Sequence, residues 1–145
     1  MLRRDLIQDK KLGSDFEFSQ SYIFFWDKLE RMNYNIQLLR KWKKEECDMQ
    51  DRKVQHVLKD PFCDGAQWVM FENLVRRYGV VPKDVYPESV HSSNTRGLNM
   101  VLCQMFRQYA TQIMTTNDYN VGKMLDDTYL LLVKLRWCWM GILTD

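Results

Sequence analysis

The sequence contains no Cys-x-x-Cys pair, no uninterrupted apolar run of membrane length, and no alternating polar and apolar stretches joined by hairpin turns. The first absence leaves Cys47, Cys63, Cys103 and Cys138 outside the spacing of redox motifs and zinc ribbons. Cys47, His56, Cys63 and His91 have ligand chemistry, but their spacing matches none of the usual zinc patterns. The N-terminal stretch MLRRDLIQDKK lacks an apolar core of signal-peptide length, which argues against export and for free thiols in a reducing cytosol. The most apolar run, 129–143, is interrupted by Lys134 and Arg136 and is short for a bilayer span. It reads as a buried helix, with no membrane partner. Neither Gly-x-Ser-x-Gly, His-Glu-x-x-His nor a phosphate-cradling loop is present, so no cofactor or metal is expected. Repeats and low-complexity segments are also missing.

What is present suits one globular domain. A chain of 145 residues buries a real core, and 46% hydrophobic with 28% charged residues excludes disorder. The net charge of +2 is too small to argue for nucleic acid. The local cluster Arg40-Lys41-Trp42-Lys43-Lys44 is partly cancelled by Glu45 and Glu46, and reads as a solvated helix end favoured by the macrodipole.

The periodicity is helical almost throughout, so the fold class expected is all-α. Residues 1–12 form a first helix closed by Gly13. Ser19 is the N-cap of the next, with Phe18 and Ile23 placed as a hydrophobic staple. Along it Tyr22, Phe25, Trp26, Leu29, Asn33 and Ile36 follow one helical face, an aromatic stripe that reads as core rather than ligand platform. A short helix over 52–58 stops at Asp60-Pro61. Asp64 and Gln67 have capping-box spacing for a helix over 67–78, which Gly79 closes. Pro82 and Pro87 predict an extended 80–89 segment. A long helix is expected over 95–114 and a last one over 120–139, capped by Asn117 or Asp118. The core is expected around Trp26, Trp68 and the helix near Leu130.

Residues 16–30, FEFSQSYIFFWDKLE, resemble a segment of the bleomycin hydrolase (aminopeptidase C) family of cytosolic, papain-like cysteine peptidases. Three further stretches resemble the same family in the same order: DPFCDGAQW at 60–68, NLVRRYGVVPKDVYPES at 73–89 and SSNTRGLN at 92–99. The resemblance covers most of 16–108, returns over 124–135 and stops at RWCWMGILTD, 136–145. It divides the chain into a partial helical domain, 1–135, and a divergent tail, 136–145. In the family a helical half supplies the catalytic cysteine, and a β-rich half supplies histidine and asparagine. The resemblance places Met1 already inside the helix that carries the nucleophile and places the last residue before the β-rich half. Its Gly-Arg-Cys-Trp motif does not occur in this sequence.

The expectation is therefore a fragment of a thiol aminopeptidase, inactive alone because nucleophile and base are missing, with no catalytic residue to name. Cys63 is the one alternative thiol, because it precedes a helix start, but no base is identifiable beside it. His56 reads as a surface or packing residue and His91 as a turn residue. The carboxylate neighbours Glu45–Glu46 and Asp126–Asp127 point apart on helices and make poor acid–base pairs. The resemblance implies substrate-binding positions only at Gly65 and Ala66, where the family's Gly-Gly pair approaches an extended peptide. A Cβ at Ala66 departs from that pattern. Implied partners are peptide substrates of the parent enzyme, and either copies of this chain or a full-length relative. The rival readings are a non-catalytic helical interaction module and an incomplete gene model. Because the β-rich half is absent, an uncovered apolar face is expected.

Overall fold

The computed structural model describes residues 8 and 9, 15–62, 67–88 and 95–139, with 135–139 as backbone only. Of the expected first helix only Gln8 and Asp9 fall among them, and both are helical. Five longer helices follow: α1 (Gln20–Lys44), α2 (Arg52–Lys59), α3 (Trp68–Tyr78), α4 (Arg96–Thr115) and α5 (Val121–Trp139). Among the described residues there is no strand, only an isolated antiparallel bridge between Phe18 and Pro82. The all-α class is as expected.

Helix α1 is the axis of the fold and lies against each of the other four helices, while α4 also packs on α2 and α5. Its N-terminus is satisfied donor by donor, as a helix start requires. Ser19 is the N-cap, and its Oγ accepts from Tyr22 N at 3.1 Å. Ser19 N donates to Val81 O at 2.9 Å. Gln20 N and Ser21 N both donate to Glu88 Oε1, at 2.7 and 3.1 Å. At the other end the basic cluster forms the last turn, as the charge pattern predicts. Lys43 is not merely solvated: its Nζ donates to Ile113 O at 2.6 Å and to Thr116 O, serving the carbonyls that end α4.

The fully buried core comprises Met32, Ile36 and Leu39 of α1, Val54 of α2, Phe62, and Leu98, Leu102, Phe106, Ala110 and Ile113 of α4, with Met124 and Leu132 of α5. The α4 members recur every three or four residues, one stripe of a helix. Phe62 meets Phe106 edge to face, ring centroids 6.4 Å apart.

This core differs from the expected one. Trp68 is 74% exposed and Leu130 50% exposed, and Trp26 is only half-buried. The buried stripe of α1 runs through Lys28, Met32, Asn35, Ile36 and Leu39, rotated from the aromatic one and sharing only Ile36. Two polar residues inside it disguise its period. Both are stabilised by hydrogen bonds: Lys28 Nζ donates to Phe62 O at 3.2 Å, and Asn35 Nδ2 to Pro61 O at 2.8 Å. The aromatic stripe instead forms a second, half-buried layer. Trp26 stacks on Tyr78 at 3.9 Å, Tyr22 meets Tyr86 edge-on, and Phe25 meets Tyr129.

Three local expectations also change. The N-cap of α3 is Gln67 itself, with no side-chain cap bond, one position inside the expected helix start, and Asp64 lies outside the described residues. The start of α5 is capped by Asn120, not Asn117 or Asp118: its Oδ1 accepts from Lys123 N and its carbonyl from Met124 N, each at 3.1 Å. After Pro82 the chain turns rather than staying extended, with Val85 N and Tyr86 N both donating to Pro82 O at 3.1 Å. Proline fixes φ but leaves ψ free, and its φ fits a turn as well as an extended segment. Gly79 closes α3 as expected, at φ +73°, a conformation that L side chains rarely adopt.

Candidate functional site

The positions expected from the sequence to bind substrate, Gly65 and Ala66, fall in the connection from α2 to α3. Asp60-Pro61 ends α2, as the residue before a proline disfavours helix. The next two carbonyls, of Pro61 and Phe62, are those gripped by Asn35 and Lys28 from the buried face of α1. The Phe62 ring is sealed in the core, so the backbone is fixed up to that residue. Cys63, Asp64, Gly65 and Ala66 lie outside the described residues, as does His91. The chain is described again from Gln67.

Beside this connection lies a cavity of about 810 Å³ between α1, α2 and α3, lined by Asp27, Glu30, Asn35, Asp60, Gln67 and Tyr78 among others. Its charges are largely matched. Arg31 pairs with Asp27 at 2.8 Å and Arg77 with Glu30 at 2.9 Å. The Tyr78 hydroxyl donates to Glu30, and burial together with that hydrogen bond pushes its pKa up to about 12. This groove sets paired charges into a mostly apolar lining. It holds no obvious proton-transfer pair.

Neither described thiol is paired with a histidine, although Cys47 lies beside the Lys53 side chain. Cys103 lies within α4, and burial pushes its pKa upward. Cys47 follows α1 and points its Sγ toward Glu45 O at 3.9 Å. His56 is exposed on α2, and no hydrogen bond joins it to either thiol among the described residues. No three His, Cys, Asp or Glu side chains converge as a metal site among those residues. The side chain of Cys138 lies outside them.

Two segments read as motifs, 16–26 and 78–88, lock into one another. Lys83 N donates to Glu17 O at 2.9 Å, Tyr22 Oη donates to Tyr78 O at 2.7 Å, and Glu88 holds the first amides of α1 together with the Ser21 hydroxyl. Sequence reasoning missed Glu88 and Lys28. The signal for Glu88 was a carboxylate in a segment with no helix of its own, available to a helix N-terminus elsewhere. The signal for Lys28 was its i, i+4 and i+7 relation to Met32 and Asn35.

A model of the Peptidase C1-like family matches residues 1–128. The chain belongs to this family. It is 48% identical over 108 residues to aminopeptidase C of Streptococcus thermophilus, covering 74% of this chain and 24% of that protein. It is 42% identical over 99 residues to bleomycin hydrolase of Gallus gallus, covering 68% and 22%. For bleomycin hydrolase of Homo sapiens the identity is 40% over 105 residues, covering 72% and 23%. The crystal structure of PepW from Lactobacillus rhamnosis HN001 superposes with a TM-score of 0.75 at 31% identity, over 95% of this chain and 32% of that one. The chain thus spans about a quarter of the length of the curated relatives it matches. These relatives are named aminopeptidase C and bleomycin hydrolase, which agrees with the resemblance drawn from residues 16–108. No described helix is long and apolar enough to cross a membrane.

Proposed function

We propose that these residues form the helical scaffold of a bleomycin hydrolase-like thiol aminopeptidase, and that as they stand they do not hydrolyse peptides. The observation that carries this reading is the interlock of 16–26 with 78–88. It ties the start of α1 to the segment after α3, while neither described thiol is hydrogen-bonded to a histidine. In the parent activity a thiolate attacks the amide carbon of an N-terminal residue, an imidazolium protonates the leaving amine, and water releases the acyl group. This sequence contains no Gly-Arg-Cys-Trp motif to supply the thiolate. Its contribution is to hold substrate: Gly65 and Ala66 lie along the peptide backbone, and the Ala66 methyl narrows that approach. The residues 136–145 form a tail distinct from the family domain, 1–135. The setting is the cytosol, where Cys47 and Cys103 stay as free thiols.

A second reading has its own observation. Trp68, Val69, Met70 and Phe71 expose a run of apolar side chains at the start of α3. Such a surface suits a helical interaction module that pairs with a copy of itself or with a full-length relative, without nucleic acid.

The test is hydrolysis of aminoacyl amide substrates by the purified chain. No thiol-dependent turnover is expected. Turnover that scales with the chain, is abolished by alkylation and disappears in Cys63→Ala overturns the proposal and assigns Cys63 as nucleophile.

A further inference from the structure

A second cavity, of about 920 Å³, lies between α2 and α4, and His56 borders both cavities. Arg52, Gln55, His56 and Lys59 line it, and their spacing of i, i+3, i+4 and i+7 places them on one stripe of α2. Arg107 and Thr111, one turn apart on α4, form the facing wall, and Met49 and Leu58 supply apolar surface that continues into the core. No carboxylate lines this cavity. Asp60 lines the other one, and Asp51 Oδ2 is engaged by the Asp48 amide at 2.9 Å.

Three permanent cations therefore gather with a histidine around an apolar floor. Among the described residues no ion pair neutralises Arg52, Lys59 or Arg107, whereas the neighbouring Lys53 pairs with Glu45 at 3.3 Å. Arg107 is held in place, its Nε donating to Leu58 O at 3.2 Å and one terminal nitrogen to Lys59 O at 3.5 Å. Those bonds serve the carbonyls at the end of α2 and leave the guanidinium's charge unopposed. All three are exposed, so water screens their mutual repulsion, and a bound anion supplies the counter-charge that no lining carboxylate provides.

We infer that the groove between α2 and α4 is a binding site for a small amphiphilic anion: a compact oxyanion, carboxylate or phosphate monoester, on an apolar body. The head lies among Arg52, Lys59 and Arg107, and the body covers Met49 and Leu58. The site is independent of peptide hydrolysis.

Titration calorimetry of the full chain tests it with octanoate and octyl phosphate as probes, octanol as the body alone and inorganic phosphate as the head alone. At least one amphiphile should bind saturably at one site, at least about tenfold more tightly than octanol or phosphate. The preferred amphiphile distinguishes a carboxylate from a phosphate source. Arg52→Gln with Lys59→Gln should weaken it about a hundredfold, near tenfold per cation. Lys59→Gln alone should give about tenfold and serves if the double variant does not melt cooperatively. Arg96→Gln with Lys123→Gln removes the same charge elsewhere and should change nothing, as should Trp68→Glu. The inference is overturned if neither amphiphile saturates, if octanol binds as well, or if the distant pair weakens binding equally. Loss of small-molecule binding alongside tight binding to phosphatidylglycerol vesicles would also overturn it, in favour of a membrane-surface contact.

Discussion

Replacing Glu88 with alanine removes the acceptor for the first two amides of α1 and for the Ser21 hydroxyl. Loss of a helix cap costs about 1 kcal/mol. The charge of a carboxylate at a helix N-terminus contributes up to about 1 kcal/mol more. The hydroxyl bond adds about 0.5–1 kcal/mol, since Ser21 is only half-buried and water re-solvates part of what is lost. Glu88→Ala should therefore lower unfolding free energy by about 2–3 kcal/mol, a large share of what a domain of this size has. Glu88→Gln keeps an acceptor and loses the charge, so about 1 kcal/mol is expected, diminishing at high salt. Urea denaturation followed by circular dichroism measures both. With Ser21→Ala it also closes a double-mutant cycle, whose coupling should be at least about 0.5 kcal/mol. A loss below about 0.5 kcal/mol for Glu88→Ala, or additive effects of the two changes, would refute the view that Glu88 anchors α1.

Tyr78 makes the fold sensitive to alkali. Its pKa is raised from 10.0 to about 12, so between those values the unfolded chain loses the phenolic proton first. Its contribution to stability is then present below about pH 10 and lost as pH rises toward 12, and Tyr78→Phe should flatten that limb of the stability curve. The exposed apolar start of α3 should make the chain bind a hydrophobic dye or self-associate while remaining helical. Trp68→Glu should reduce both in fluorescence and sedimentation measurements, and an unchanged parent-like signal would place the patch elsewhere.

The elements most legible in the sequence were those whose signals are local. Ser19 as N-cap, Gly79 as a positive-φ terminator and Asp60-Pro61 as a stop all act within one turn, and each was read correctly. The bounds of α4 came within a residue because its buried stripe contains only apolar side chains. The buried face of α1 was not legible, because Lys28 and Asn35 sit in it and their compensation comes from carbonyls of residues 61 and 62. Trp68 was misplaced for the opposite reason: a large apolar residue is expected inside, but the helix start that carries it has no covering layer among the described residues. For the site, the resemblance alone proposes Gly65 and Ala66, which lie outside the described residues. The groove between α1 and α3 depends on the Arg77–Glu30 ion pair, which no periodicity reveals.

The start of α1 also has a consequence for the order of folding. Of the donors on Ser19, Gln20, Ser21 and Tyr22, only the last is served from within the same turn. The others wait for residues 81 and 88, more than sixty positions along the chain. The first turn of the longest helix is thus not a local event that nucleates the rest. It becomes stable only after a long loop has closed, and long closures come late because their entropy must be met before the contacts form. Helix α1 should therefore grow from its interior toward Gln20. Hydrogen exchange at the amides of Gln20 and Ser21 would then record the docking of the 80–88 segment rather than the formation of the helix they begin.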